Sequence, residues 1–184
     1  MSYDKRFWDG YANENESRYN EEFAKFMRDL VISLRCTSVL EIGCGTAIDL
    51  RLFPSDFEVH GIDLNHSALE IAKSKNPSFD FKIGTVTKLP FGDSSIDLIF
   101  THKFLNCIGD IDLEKGLSEI YRVARKYIVN CEMYDESESK TDGVFTGRNM
   151  LKRWGDYRVK IISDVDMHED IEPEKIRFTL LKKL

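Results

Sequence analysis

Between residues 38 and 131 short apolar runs alternate with amphipathic stretches, and this alternation constrains the fold more than any other feature. The first and fourth runs carry apolar residues on both faces, which is typical of parallel strands covered by helices on both sides. The sequence therefore predicts an α/β fold built on a doubly wound, Rossmann-like sheet. Strands are predicted at Ser38–Ile42, Glu58–Leu64, Asp80–Gly84, Ile96–Thr101 and Lys126–Cys131.

Helices are predicted before and between these strands. Apolar residues spaced three and four apart predict an amphipathic helix over Glu21–Leu34, and similar patterns predict helices at Ala47–Phe53, Ser67–Lys75 and Leu113–Ala124. After Cys131 the pattern changes, and it predicts a short helix near Asn149–Trp154 and two strands, Arg158–Ile162 and Ile176–Leu181. These two strands can pair antiparallel at a sheet edge, which gives a seven-stranded, mostly parallel sheet whose last strand is antiparallel.

Length and composition favour one domain. The chain has 184 residues, 42% of them hydrophobic, which suffices for one substantial core. Within it we distinguish an N-terminal lid and helix (residues 1–35), a cofactor-binding core (36–134) and a substrate-side part (135–184). No apolar run approaches the roughly 20 residues that cross a bilayer, and the polar start shows no signal sequence, so a cytoplasmic protein is expected.

Charge and cysteine spacing exclude several classes of partner. The net charge of −6 disfavours binding to nucleic acid or anionic membranes, because phosphate groups demand a cationic surface. The four cysteines lie far apart without zinc spacing, so we expect reduced thiols and no metal site. The oligomeric state stays open.

The most informative segment is Val39–Ala47, a predicted strand that enters a glycine turn and then a predicted helix. Gly43 and Gly45 allow a sharp bend and a close approach of a ligand to the backbone, and a following helix would present free N–H groups. Asp63 ends the second predicted strand, where a carboxylate can accept hydrogen bonds from both hydroxyls of a ribose. This spacing predicts a nucleoside site.

Two residues discriminate between nucleoside cofactors. A dinucleotide fingerprint requires a third glycine where this chain has Ile48, and Glu41 would repel a pyrophosphate. The same carboxylate suits S-adenosylmethionine, which carries an ammonium group and a positive sulfonium. A nicotinamide-dependent oxidoreductase is therefore the less favoured alternative.

At this point the chain resembles the class I S-adenosylmethionine-dependent methyltransferases over almost its whole length. The resemblance rests on Glu41–Gly45, Gly61–Leu64, and Leu89–Phe91 followed by Ser95–Ile99. It implies S-adenosylmethionine as cofactor and a methyl transfer to a small-molecule acceptor. The cofactor-binding positions that it implies are Glu41, Gly43, Cys44 and Gly45 beside the methionyl portion, Asp63 on the ribose, Leu64 against the adenine, and Thr85 and Val86 where many members place an acid for the adenine amine.

A narrower resemblance concerns segments outside these motifs. Phe7–Trp8 with Tyr11, Lys103–Ile108, Glu132–Tyr134 and Phe178–Lys182 are similar to methylases associated with pseudaminic acid and other nonulosonic-acid sugars. This likeness implies a sugar-related acceptor with a nitrogen or oxygen nucleophile. The aromatic start, with Tyr11 at the cofactor, is interpreted as a lid, although an ordinary packing segment is the alternative.

The acceptor is expected beyond the carboxyl ends of the fourth and fifth strands. We hypothesise that His102 or Glu132 accepts a proton from it, with Asn106 and Tyr134 as orienting groups. The alternative is structural, because a strand-end histidine can bond to the backbone and a strand-end carboxylate can simply be solvated.

Cationic side chains at Arg148, Lys152 and Arg153 either bind an acidic acceptor or form a solvated face. Two further functions stay open at this point. The chain could methylate a protein or a nucleic acid, or it could be a non-catalytic module that binds the cofactor without an acceptor.

Overall fold

The computed structural model describes residues 8, 10, 14–139 and 145–184, and it confirms the predicted doubly wound sheet. Seven strands of this described part form one sheet in the order β3-β2-β1-β4-β5-β7-β6. Strands β1 to β5 are parallel, and β7 runs antiparallel to both of its neighbours. Their bounds are Ser38–Ile42 (β1), Glu58–Asp63 (β2), Asp80–Ile83 (β3), Ile96–His102 (β4), Ala124–Met133 (β5), Val159–Asp166 (β6) and Ile176–Lys183 (β7).

Four α-helices accompany the strands in the described ranges. They are α1 (Glu21–Ser33), α2 (His66–Lys75), α3 (Asp110–Val123) and α4 (Met150–Arg153), and short 3-10 turns lie at Asn15–Arg18 and Leu105–Cys107. Asparagine side chains cap three of them: Asn20 accepts from Phe23 N–H, Asn65 from Ala68 N–H and Asn149 from Lys152 N–H. Each of these three helices therefore begins where a short polar side chain can satisfy a free backbone donor.

The core forms two layers, one on each face of the sheet. Helices α1 and α2 cover one face through Phe23, Met27, Val31 and Leu69. Helices α3 and α4 cover the other, which also buries Trp154. The apolar character of β1 and β4 on both faces follows directly from this double cover, since both strands are buried along nearly their whole length.

The helix predicted at Ala47–Phe53 is wrong, because this segment is a run of turns. Ala47 has a left-handed φ of 57°, and Leu50 and Phe53 donate backbone hydrogen bonds to residues three positions back. The segment is too short to sustain a helix on its own, and Pro54 ends it without a donor. The glycine turn is therefore not followed by the predicted helix N-terminus with its free N–H groups.

Two further findings bear on the expectations from composition. All four cysteines are free thiols. Within residues 14–139 and 145–184, none of the helices has the length and apolar character needed to cross a membrane.

Candidate active site

The strand order reverses between β1 and β4, and the carboxyl ends of these neighbours open a crevice. The connection from β1 turns towards β2, whereas the connection from β4 leads towards β5. Glu41 and the glycine turn lie on one side of this point, and His102 ends the strand on the other. The predicted cofactor and acceptor groups thus meet at one edge of the sheet.

The glycine turn has a backbone that requires glycine. Gly43 and Gly45 have φ values of 76° and 51°, in the left-handed region. A Cβ atom added at Gly43 would overlap the ring of Phe104, which follows β4. Gly43 and Cys44 both donate backbone hydrogen bonds to the carbonyl of Ile62 in β2, at 2.8 and 3.1 Å. The turn is therefore fixed against β2, and the backbone faces Phe104 without an intervening side chain.

Asp63 is tied to the turn by its carboxylate. Its Oδ2 accepts a hydrogen bond from the Gly45 N–H at 2.8 Å, and its Oδ1 accepts one from the Asn65 N–H at 2.8 Å. Burial raises the pKa of Asp63, and these backbone donors oppose the rise. The predicted ribose contact thus also has a structural task, because the same carboxylate holds the glycine turn to the end of β2.

Glu41 is buried at the centre of a group of acids. Its side chain is 3% exposed, and its pKa lies well above the usual range because of burial and the nearby carboxylates of Asp49 and Asp63. Within the described residues its Oε2 has no well-aligned hydrogen-bond partner. A buried, unpaired carboxyl oxygen beside two other acids provides a place for a cationic group, which is the chemistry that the ammonium of S-adenosylmethionine supplies.

Cys44 lies within the turn as a structural thiol. Burial raises the pKa of its Sγ, so the group stays protonated and unreactive. Its Sγ lies so close to Gly61 in β2 that a Cβ at that glycine would collide with it. Cys44 therefore contributes to the glycine turn through its backbone and through packing, and its contact with the cofactor stays a prediction.

Leu64 is an apolar side chain left in solvent, 71% exposed at the end of β2. Ile83 ends the neighbouring strand β3 and is 57% exposed. Exposed apolar side chains at the carboxyl ends of adjacent strands suit a flat apolar ligand group, which fits the adenine role predicted for Leu64. Ile83 was missed because the sequence alone does not show that it stays uncovered.

The side chains of Val86 and Thr85, both predicted at the adenine, are engaged in contacts within the protein. Val86 is 3% exposed and packs against Gly116 of α3, where a side chain would overlap it. Its side chain therefore belongs to the core, so an adenine contact at this position would involve the backbone. The Thr85 hydroxyl lies 3.1 Å from that of Thr87, within a small turn that brings Thr85 beside Lys88.

His102 is held as a cation rather than presented as a base. Its Nδ1 lies 2.7 Å from Asp49 Oδ2, its Nε2 lies 3.3 Å from Glu172 Oε2, and its ring stacks on Phe23 at 3.8 Å. Burial lowers the pKa of His102, but the two carboxylates outweigh it and raise the value to about 9. With its pKa raised to about 9, His102 is less suited than Glu132 to accept a proton at neutral pH.

Asn106 has a structural role in place of the predicted contact with the acceptor. Its Nδ2 donates to the carbonyls of Met133 and Thr146 at 3.0 and 2.8 Å, and its Oδ1 accepts from the Met133 N–H at 2.8 Å. These bonds use both donors and one acceptor position of a buried side chain. Asn106 thus joins the end of β5 to the segment that begins at residue 145.

Glu132 and Tyr134 both lie at the end of β5, but they differ in exposure. Burial raises the pKa of Glu132 to about 7, against opposing contacts that include the Asn106 N–H, 3.4 Å from Oε2. In the described part of the chain its Oε1 lacks a well-aligned partner. Tyr134 is exposed, and the Arg177 guanidinium lies 4.4 Å from its ring centroid. Of the four predicted acceptor groups, Glu132 has the titration range of a general base.

Two of the three cationic residues predicted near α4 are neutralised within the molecule. Arg148 is buried and pairs with Asp110 at 2.7 Å, and Arg153 pairs with Glu114 and Glu138. These ion pairs fasten the segment after β5 to α3. Arg148 and Arg153 are therefore not free to bind an acidic acceptor. Tyr11 and Phe7, predicted as parts of a lid, lie outside the described residues.

Asp49 and Glu172 are the site residues that the sequence did not indicate. Asp49 lies in the segment mistaken for a helix, and Glu172 lies in the connection between β6 and β7, far from His102 along the chain. A polar residue inside a predicted apolar stripe was a signal for Asp49, whereas nothing local marks Glu172. Within the described ranges no group of three or more potential ligand side chains is placed to hold a metal ion.

Comparisons with known proteins agree with this geometry. A family model described as a methyltransferase domain matches residues 39–127. The phthiotriol/phenolphthiotriol dimycocerosates methyltransferase of Mycobacterium tuberculosis is 29% identical over 101 residues, which are 51% of this chain and 36% of that protein. The chain spans less than half the length of the first curated relatives that it matches.

Solved structures share the fold. A putative methyltransferase complexed with the Haloferax volcanii Trm112 methyltransferase activator has a TM-score of 0.74 and 15% identity, covering 99% of this chain and 98% of that one. Phosphoethanolamine N-methyltransferase 1 of Haemonchus contortus, in complex with phosphoethanolamine and S-adenosylhomocysteine, has a TM-score of 0.70 and 21% identity, covering 98% and 48%. These likenesses establish the architecture and leave the substrate open.

In its fold, its glycine turn and the methyltransferase-domain match over residues 39–127, the chain is similar to the class I S-adenosylmethionine-dependent methyltransferases. This similarity indicates an enzyme that uses S-adenosylmethionine as its cofactor. None of the relatives described above bears the name of a nonulosonic-acid methylase, so the narrower resemblance stays a prediction.

Proposed function

We propose that the chain transfers a methyl group from S-adenosylmethionine to a nitrogen or oxygen atom of a small metabolite. The observation that carries this proposal is the buried Glu41 carboxyl, whose unpaired Oε2 lies beside the left-handed glycine turn. The crevice offers an acidic end for the ammonium, Asp63 for the ribose, and Leu64 for the adenine. When bound, S-adenosylmethionine supplies an activated methyl group.

The protein's contribution to such a reaction is alignment and exclusion of water. Displacement at a sulfonium neutralises charge, so a dry and ordered site favours it without many reactive side chains. Glu132 is proposed as the group that takes a proton from the acceptor, since its pKa of about 7 lets it exist as a base at neutral pH. Tyr134, exposed at the same strand end, is proposed as an orienting group.

The acceptor class is proposed on a narrower basis. The likeness to nonulosonic-acid methylases favours a sugar or its nucleotide-linked precursor as the first acceptor to test. Two other proteins show how wide the choice is: one relative is named for phthiotriol and phenolphthiotriol dimycocerosates, and one structural neighbour was solved with phosphoethanolamine. The runner-up is a protein or nucleic-acid acceptor, and two relatives are named for a protein-linked substrate, as malonyl-[acyl-carrier protein] O-methyltransferases.

A first experiment tests cofactor binding with a matched pair of variants. Leu64→Ser replaces an exposed apolar side chain at the proposed adenine contact, and Ile161→Ser replaces one that is 51% exposed on the edge strand β6. Because burying a leucine contributes about 1.5–3 kcal/mol, we expect L64S to weaken affinity for S-adenosylhomocysteine at least about tenfold. I161S should leave it within about twofold. Isothermal titration calorimetry measures both.

A second experiment tests transfer. Radiolabelled methyl uptake would be followed with free and nucleotide-linked sugars, small amines, a peptide mixture and total RNA. Labelling of a small metabolite supports the proposal, and labelling of peptide or RNA alone supports the runner-up. Tight cofactor binding without any labelling across acceptors would favour the non-catalytic module, and absence of cofactor binding would overturn the cofactor site itself.

A further inference from the structure

His102 is a buried charged group that the proposed reaction does not use. Its side chain is 8% exposed, and it lies between two carboxylates that come from distant parts of the chain. Asp49 lies in the turns that follow β1, and Glu172 lies in the connection between β6 and β7. Burying a cation between two such groups is costly unless their geometry is maintained. This arrangement therefore links the C-terminal hairpin to the segment beside the glycine turn.

The link extends in both directions from His102. On the cofactor side, the Asp49 carboxylate lies close enough to the buried Glu41 to raise the pKa of Glu41. On the hairpin side, Asn20 donates to the carbonyl of Ile171 at 2.8 Å and lies 3.4 Å from Glu172 Oε2. Glu172 thus enters the core because the N-terminal end of α1 and the strand-end histidine both hold it. Two ion pairs of His102 thus connect Glu172 to Asp49, the carboxylate that acts on Glu41.

Glu41 lies at the cofactor end of these contacts and is the candidate ligand-binding group. Its carboxyl is buried, and in the described structure one of its oxygens lacks a partner of good geometry. Ionisation of Glu41 in this acidic surrounding requires a positive charge close by. His102 offsets the charge of Asp49, which would otherwise act on Glu41 uncompensated. The contact with Glu172 favours the protonated form of His102. The protonation state of His102 in turn governs how readily Glu41 loses its proton.

We infer that Glu172 is a positioning residue for the cofactor: through His102 it holds Asp49 against Glu41, whose unpaired oxygen receives the ammonium of S-adenosylmethionine. The inference rests on the proposed function. It assigns to the C-terminal hairpin a role in cofactor binding, whereas the sequence predicted that residues 135–184 lie on the substrate side. Binding then releases one proton from Glu41 to the solvent. No bond of the cofactor changes in this step.

The charged groups that determine this behaviour come from every element packed around the two residues. Phe23 of α1 contributes only its ring, stacked on His102. The groups that face His102 are Asp49, Lys103, Glu132 and Glu172, and those that face Glu41 are Asp49, Asp63 and the Cys44 thiol. Lys103 also lies 3.2 Å from Glu174 Oε1, at the outer end of the network.

The test compares Glu172→Gln with Glu174→Gln in the full chain. Glu174 belongs to the same connection, but its exposed side chain pairs with the outer lysine, and the substitution keeps the Glu174 N–H that donates to Glu172 Oε1. Three probes are titrated by calorimetry between about pH 5.5 and 7.5, below the range of an α-amino group. They are S-adenosylmethionine, S-adenosylhomocysteine and methylthioadenosine, which lacks the ammonium and carboxylate of the first two.

In the wild type we expect affinity for the two amino-acid-bearing probes to rise with pH, and E172Q should move this rise upward by about one pH unit. That shift corresponds to about a tenfold loss of affinity at a fixed pH within the rise. Methylthioadenosine should bind both proteins alike, because it makes no contact with Glu41. E174Q should match the wild type with all three probes.

A purely structural role for Glu172 would weaken all three probes equally and leave the pH profile in place, which would overturn the inference. If E172Q does not fold, binding enthalpies of the wild type in two buffers of different ionisation enthalpy decide. Proton release supports the inference, and its absence throughout the pH range overturns it. A wild type that binds S-adenosylmethionine without these effects refutes the inference alone, whereas a wild type that does not bind it refutes the proposed function as well.

Discussion

At the scale of single residues, Gly43 is the position where a methyl group has the largest predicted effect. Its φ of 76° disfavours any residue with a Cβ, and that atom would overlap the Phe104 ring. Since the left-handed conformation alone costs about 1–2 kcal/mol, we expect Gly43→Ala to lower the free energy of unfolding by at least that amount. Affinity for S-adenosylhomocysteine should fall with it. Urea denaturation and calorimetry measure the two effects.

Gly92→Ala is the matched control for this prediction. A Cβ at Gly92 meets nothing within 4 Å, so stability should stay within about 0.5 kcal/mol. The double variant Gly43→Ala/Phe104→Ala removes the ring but keeps the backbone strain, and it should recover cofactor affinity only in part. Equal stability of G43A and G92A would contradict the structural role assigned to the turn.

At the scale of elements, Asn106 determines whether the end of β5 stays joined to the segment beginning at residue 145. Asn106→Ala would remove the partner of the Met133 N–H and of the Thr146 carbonyl, each at a cost of about 1–3 kcal/mol, whereas the Met133 carbonyl keeps its hydrogen bond from the Arg148 N–H. We therefore expect a large loss in the free energy of unfolding, measured by urea denaturation. Thr146→Ala keeps the carbonyl that accepts the bond and should be nearly neutral. A stable N106A variant with impaired methyl transfer would instead restore the acceptor-orienting role.

The predictable elements are those whose signal is local. The strands β1 and β4, the capped helix α1 and the turn at Gly43 and Gly45 follow from patterns within a few residues. The helix expected at Ala47–Phe53 did not form, because Asp49 turns inward to His102 and Ala47 adopts a left-handed φ. Tertiary contacts thus overrode a short apolar pattern.

The same distinction explains which parts of the candidate site were found. Glu41 and Asp63 follow from their positions around a recognisable turn, whereas Glu172 reaches His102 only after β7 has paired with β5. No spacing rule connects residues whose proximity depends on strand order. The exposure of Leu64, the burial of Val86 and the bonding of Asn106 likewise depend on which surfaces the completed fold covers.

At the scale of the whole molecule, the buried titratable groups predict how stability depends on pH. His102 keeps its proton to about pH 9 in the folded chain, compared with about 6.5 when unfolded, so its stabilisation is complete below pH 6.5 and is lost as pH rises through 9. Glu132 keeps its proton to about pH 7, and its contribution is lost between about 4.5 and 7. Glu172, with its pKa lowered to about 2, acts oppositely, and its contribution is lost as pH falls below about 4.5.

These three groups place the maximum free energy of unfolding at about pH 5. The free energy of unfolding then declines towards pH 9, and His102 contributes on the order of 3 kcal/mol to this decline. Urea denaturation across this range measures the curve. His102→Gln should flatten its part above about pH 6.5, whereas His66→Gln, at an exposed position in the first turn of α2, should leave the shape unchanged. If H102Q showed an equally steep decline above about pH 6.5, the proton released in this range would belong to a group other than the buried histidine.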